Sequence, residues 1–377
     1  MPDPFDAIRA FRDDEVNDAL RSIAHDPMMQ VVLQFTFPEN TTKERLQILE
    51  GIHATQDFHA QVVRPAVLRI LAESSDGLTH SGFDQLQPGT PYLFISNHRD
   101  IVLDTAFLNY ILLEQGLIMT ASAIGDNLVK LPFLFTFAKI NRNFLVRRNL
   151  PPRELLESSQ VLSEYIRHLL MEENRSVWIA QREGRAKDGN DTTHPGVLKM
   201  IGMAAGADGV VNYLKQLRIV PITASYEYDP ADAFKIPELL ADAHGESYTK
   251  DPQEDFRHII TGIKGQKKHI HFHAGNPLDA ELDMITSVSG LNHQIKALAQ
   301  ILDHAIIAHY RLWPSNYIAH DLLSQAHNFA EHYSREEKEA FTQRMEERID
   351  NMGDEARRCF LSMYARPVSN QTGIAVS

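Results

Sequence analysis

His98 closes a short apolar run, Tyr92 to Ile95, with Asp100 two residues beyond it and Asp104 six beyond. A histidine held by a carboxylate is a general base suited to neutral pH, because the carboxylate sets the tautomer and stabilises the imidazolium. The same segment also fits turn and helix-cap chemistry, for which Asn97, Asp100 and Asp104 are the right residue types. On these residues alone, base and cap are equally good readings. Two further segments carry clustered cations. Asn141-Arg142-Asn143-Phe144-Leu145-Val146-Arg147-Arg148 is a short strand pattern ending in two guanidinium groups, a pairing that grips phosphate or carboxylate, or simply lies solvated on a surface. Trp178-Ile179-Ala180-Gln181-Arg182-Glu183-Gly184-Arg185-Ala186-Lys187-Asp188-Gly189 runs from an apolar strand into a loop of Arg, Lys and Gly, which is either an anion cradle or an exposed charged turn.

A fourth segment, Lys267-Lys268-His269-Ile270-His271-Phe272-His273, puts three histidines on one face of a strand, a spacing that zinc or iron could use in a metal-dependent hydrolase. No acidic ligand motif accompanies it, and 18 histidines in the chain make chance groupings common. A structural strand without metal is the better reading.

These residues need a scaffold. Residues 13–75 carry helical periodicity, with Pro38 and Pro65 as punctuation. From residue 78 strands and helices alternate: strands at Leu78–Gly82, Tyr92–Ile95, Phe144–Arg147, Ser176–Ala180, Ile219–Ser225 and His269–Ala274, helices at Thr105–Leu117, Pro152–Glu173 and Gly196–Gly206. This alternation predicts an α/β fold, a mixed sheet flanked by helices with N-terminal and C-terminal helical extensions. The expected division is a helical region over 1–76, an α/β domain over 77–285, and a helical region over 286–377. That last region has helices at Leu291–Leu312 and Arg335–Leu361 and a loose polar tail after Pro367. Residues 240–265 read as an irregular inserted loop.

Composition narrows the class. The 377 residues are 43% hydrophobic and carry a net charge of −13, so a core is affordable and nucleic acid is not an expected partner. One cysteine, Cys359, rules out an internal disulfide framework and fits a reducing cytoplasm. Met1-Pro2-Asp3-Pro4-Phe5-Asp6 lacks an apolar leader core, and no apolar run is long enough to span a bilayer.

The order Asn-His…Asp, Phe-Leu-Val-Arg-Arg, Glu-Gly-Arg, then Val-Pro-Ile at 220–222 resembles the four blocks of the glycerol-phosphate acyltransferase family. That family includes 1-acylglycerol-3-phosphate and dihydroxyacetone-phosphate acyltransferases. The likeness covers roughly 78–280 and includes the lead-in Gly82-Phe83-Asp84-Gln85-Leu86 and the late Gly275-Asn276-Pro277; the stretch Arg185 to Met200 looks closest to the glycerol-3-phosphate branch. Two spacings depart from the family pattern. Asp104 lies six residues after His98 where the family has five, which favours Asp104 as partner with Asp100 as fallback. Glu183-Gly184-Arg185 lacks the usual intervening residue, so either Glu183 or Arg182 holds the family's glutamate position.

The resemblance implies transfer of a fatty acyl chain, from acyl-CoA or acyl-carrier protein, to a hydroxyl of glycerol 3-phosphate or lysophosphatidate in phospholipid biosynthesis. His98 would be the general base oriented by Asp104, and amides of the His98 turn would serve the oxyanion. Arg147, Arg148, Glu183, Gly184, Arg185 and Lys187 would form the phosphate site. No metal, cofactor or covalent enzyme intermediate is implied. A cytoplasmic protein peripheral on the inner face of the cell membrane is expected, with Leu131–Phe135 and Phe137, beside Lys130 and Lys139, either touching lipid or forming core. The alternatives are a lysophospholipid or other lipid acyltransferase, and a catalytically lapsed acyl-CoA- or lipid-binding protein.

Overall fold

A computed structural model describes residues 3–207, 209–251 and 253–374. Its seven strands are β1 (Gly77–Ser81), β2 (Leu93–Ser96), β3 (Thr120–Gly125), β4 (Asn143–Val146), β5 (Ser176–Ala180), β6 (Ile219–Tyr226) and β7 (His269–Ala274). They form one sheet in the order β1-β7-β6-β2-β5-β3-β4. Every neighbouring pair is parallel except β6 with β7, so the sheet is mixed. Strands β2 and β6 are buried along their whole length. A strand covered on both faces has no solvent side, which is why neither segment carries a charged side chain. Pro221 is tolerated in β6 because pairing with β7 stops at Ile222–Ala274. Its carbonyl accepts from the Gly275 amide at 2.9 Å just past that end, and the missing N–H falls on the same side.

Helices cover both faces. One layer, including Pro152–Met171, Pro195–Ile201 and Leu291–Ala308, packs on Leu93, Ile95, Val177 and Ile219. The other, including Arg64–Ser74 and Leu103–Glu114, packs on Phe94, Trp178, Val220 and Phe272. The Leu291–Ala308 helix therefore belongs to the sheet's own core, although its position in the chain suggested a separate C-terminal region. Three N-terminal helices, Asp13–Ile23, Pro27–Thr36 and Thr42–Glu50, share a core with Phe133 and Ile140 of the helix Pro132–Ile140. The apolar run at 131–137 is thus mainly core, and Lys139 is buried over the rings of Phe11 and Phe135. Only Leu131 and Phe135 of its large apolar side chains are exposed.

Several expectations need correction. Strand β3, Thr-Ala-Ser-Ala-Ile-Gly, was not legible, because small residues carry little strand signal even where buried. Residues 240–265 are not an irregular loop: helices occupy Asp232–His244 and Glu254–Lys264. The expected helix 335–361 is two, Arg335–Arg348 and Gly353–Thr372. The second runs through Pro367 with Pro367 and Val368 buried, so the chain is ordered helix up to Thr372 and the tail is not loose there.

Candidate active site

The carboxyl ends of the parallel strands β2, β5 and β6 meet at one edge of the sheet, the place where open α/β sheets present their site residues. The turn after β2 carries His98. Its Nδ1 lies 2.7 Å from Asp104 Oδ2. A carboxylate here only accepts, so Nδ1 carries the proton and Nε2 is left as the basic nitrogen. Asp104 sits in the first turn of the helix Leu103–Glu114 and is 1% exposed. Its Oδ2 also accepts from the amides of Arg99 at 2.6 Å and Asp100 at 3.0 Å, and its Oδ1 from the Tyr226 hydroxyl at 2.9 Å. Burial and then the Asp104 charge push the Tyr226 phenol well above its ordinary range, so it stays a donor. The His98 ring meets Trp178 edge-on at 5.5 Å between centroids.

Asp100 is not bonded to His98. Its Oδ1 accepts from the amides of Val102 and Leu103 at 2.9 and 2.8 Å, a cap on the helix that begins there. Burial, then the neighbouring Asp104 charge, raises its carboxyl above the usual range. The carboxylate bonded to His98 and the carboxylate that caps the helix are thus different aspartates. Of the turn amides expected to serve an oxyanion, those of Arg99 and Asp100 donate to Asp104.

The turn is fastened on both flanks. Asn97 clasps β6, donating from Nδ2 to the Ala224 carbonyl at 3.0 Å and accepting from the Ala224 amide at 2.8 Å. Arg99 turns back to a buried ion pair with Asp191, its guanidinium 5.1 Å over the Tyr310 ring. The Ala186 amide donates to the His98 carbonyl at 3.1 Å, which brings the Arg185 loop against the turn. A small cavity beside the turn is lined in part by Arg99, Asp100, Tyr226, Tyr310 and Tyr364 and has room for water.

The expected phosphate ligands are less uniformly placed. Arg185 is buried beside the turn, with Nη2 2.7 Å from His258 Nδ1. Arg148 pairs with Glu183, which brings the end of β4 to the loop after β5. Arg147 is exposed and makes no ion pair or hydrogen bond among the described residues. Lys187 is drawn away to Glu238. Gly184 takes a left-handed φ of 70° with open space around it. Gly189, with φ 77°, serves packing, since a Cβ there would strike the Met363 carbonyl.

The histidines of β7 are engaged otherwise. His271 bridges Thr79 and Ser81, His273 bonds Ser81 and stacks on His309, and His269 meets Glu227. Among the described residues no group of His, Cys, Asp or Glu is arranged to hold a metal ion. Sequence reasoning missed Tyr226, Asp191 and His258 as parts of the site. The last lies in the stretch 240–265 that reads from the chain as an irregular loop, and the structure makes it part of the helix Glu254–Lys264.

Residues 77–225 match the family model described as Acyltransferase. That segment, which holds His98, Asp104 and Arg185, is similar to the acyltransferase family. The crystal structure of the 1-acyl-sn-glycerophosphate (LPA) acyltransferase PlsC from Thermotoga maritima aligns with a TM-score of 0.40 at 9% identity, covering 79% of this chain and 96% of that one. No match was found among curated proteins.

Proposed function

We propose that this acyltransferase moves a fatty acyl chain from acyl-CoA or acyl-carrier protein to a hydroxyl of glycerol 3-phosphate or lysophosphatidate. One observation carries the reading: His98 Nδ1 is bound to a buried Asp104 at 2.7 Å, which leaves Nε2 to act as base. In the proposed reaction Nε2 takes the acceptor's hydroxyl proton as that oxygen attacks the thioester carbonyl carbon. The tetrahedral intermediate then collapses, the carbon–sulfur bond breaks, and the departing thiolate takes the proton back from the imidazolium. Asp104 orients the ring and balances its transient charge. Arg185, beside the turn, and the free Arg147 supply the charge for a phosphate-bearing acceptor. The products partition into lipid, so the chain would work peripherally on a membrane. No helix among the described residues is long and apolar enough to cross one. Exposed Leu131 and Phe135, next to exposed Lys130, offer a local contact.

A second reading, a fold that binds acyl-CoA or lipid without turnover, draws support from the engagement of Arg148 with Glu183 and Lys187 with Glu238. Release of free thiol from palmitoyl-CoA separates the two, measured with and without glycerol 3-phosphate, lysophosphatidate or a lysophospholipid, for wild type and His98→Ala. Acceptor-dependent release abolished in the variant supports the enzyme and selects its acceptor. Absence of release with both acyl-CoA and acyl-carrier-protein donors sinks it in favour of the binding protein.

A further inference from the structure

The excursion between β6 and β7 lays the helix Glu254–Lys264 against the site, and the helix is turned the unexpected way round. Phe256, Ile259, Ile260 and Ile263 follow the spacing of an ordinary buried stripe; Ile259 and Ile263 are half-buried, Ile263 against the core, yet Phe256 and Ile260 are 39% and 38% exposed. The face that is buried holds Glu254, His258 and Gly262. Burying polar residues in preference to apolar ones is favourable only where they meet polar partners. Gly262 lies so close to the Asp100 carboxylate that a Cβ there would collide with it. His258 meets Arg185, with Nδ1 2.7 Å from Nη2. A guanidinium only donates, so Nδ1 accepts, the imidazole is neutral, and its proton is on Nε2. Burial first, and the Arg185 charge second, hold it down to about 4, in keeping with that state. His258 is 4% exposed, and its Nε2 is buried without a hydrogen-bond partner among the described residues. Arg99, in the catalytic turn, has a buried unpaired Nε as well. Buried donors are almost always paired, so an unpaired donor bound through its other nitrogen to the expected phosphate ligand marks a place for an anion.

We propose that His258 is a ligand for the acceptor's phosphate, fixing Arg185 through Nδ1 and donating Nε2–H to a phosphate oxygen. The assignment rests on the reading of a phosphate-bearing acceptor given above. Three variants separate the two nitrogens. H258N keeps an acceptor near the Nδ1 position but has no donor near Nε2, H258Q places an amide near Nε2, and H258A has neither. The acceptor KM, the acyl-CoA KM and the inhibition constant of inorganic phosphate against acceptor are measured for each. Expected are rises in acceptor KM and in the phosphate constant of about tenfold or more in H258N and H258A, with partial recovery in H258Q and an unchanged acyl-CoA KM. If H258A fails to fold, the contrast of H258N with H258Q decides. Wild-type turnover with both constants within about twofold in H258N overturns this assignment alone. Absence of acceptor-dependent turnover in wild type overturns the functional reading and this assignment together.

Discussion

Tyr226→Phe removes one oxygen from the support of the proposed base and changes little else. The phenol donates to Asp104 Oδ1 at 2.9 Å, while Oδ2 holds His98 and two backbone amides. The Tyr226 ring is 5% exposed and lies 6.3 and 6.4 Å from the rings of Phe107 and Phe272, so phenylalanine fills the same space. The variant leaves one oxygen of a buried carboxylate without a donor. Hydrogen bonds to charged groups contribute about 1.5–3 kcal/mol, and that is the expected loss of unfolding free energy in urea. The chemistry changes too. With one donor fewer, the Asp104 carboxylate is held less firmly beside His98. If about a third of that energy reaches the His98 bond, roughly 0.5–1 kcal/mol, kcat/KM for the acceptor falls by about two- to fivefold. The assay is kcat/KM for the acceptor, measured beside the acyl-CoA KM, which should stay within about twofold. An unchanged kcat/KM while stability falls would refute the positioning role. Unchanged stability would refute the hydrogen bond itself.

The two aspartates should separate cleanly. Asp104→Asn takes away the charge opposite the imidazolium and should lower kcat by about 10²–10⁴. Asp100→Asn keeps a capping oxygen, so its loss should stay under about tenfold, and equal losses in the two variants would contradict the assignment of roles. On acidification, burial first and nearby cations second hold His258, His271 and His273 down to about 4 in the folded state. The unfolded chain therefore binds protons first, and stability present above about pH 6.5 is lost as pH falls toward 4. The raised carboxyls of Asp100 and Asp191 act in the opposite sense and offset part of this. Thermal melts between pH 7.5 and 4 should show a falling midpoint, and a flat or rising one would argue against neutral buried imidazoles. At the membrane, a Leu131→Ser, Phe135→Ser double variant should lose at least about threefold in co-sedimentation with anionic vesicles, whereas undiminished binding would remove these residues from the proposed contact.

Apolar spacing and block order carried much of the architecture. Strands β5 and β7 coincide with the bounds read from the chain, Ser176–Ala180 and His269–Ala274, and β2 falls within one residue of its expected ends. Buried strands announce themselves because both faces must be apolar, whereas β3, built of small residues, does not. The chain also supplied His98 with two possible carboxylate partners. Choosing between them required the path of the turn, since an offset of six residues reaches back to the histidine only when the intervening backbone folds over the carboxylate. Tyr226 and His258 lie 122 and 73 residues from the groups they touch, Asp104 and Arg185, and no local pattern encodes such pairings. Periodicity states which residues share a face of a helix, not which face a neighbour will cover. Glu254–Lys264 lies in the stretch 240–265 that reads from the chain as an irregular loop, although Phe256 and Ile260 are spaced to share one helical face. The tertiary structure buries His258 and Gly262 and leaves Phe256 and Ile260 exposed, because the surface this helix meets presents Arg185 and Asp100 beside the apolar cluster that takes Ile263. By itself, then, the sequence determined the sheet's central strands and the types of chemical group brought to its edge. Which of those groups meet was decided by the fold, because hydrogen bonds and ion pairs depend on ångström-scale distances between residues far apart in the chain.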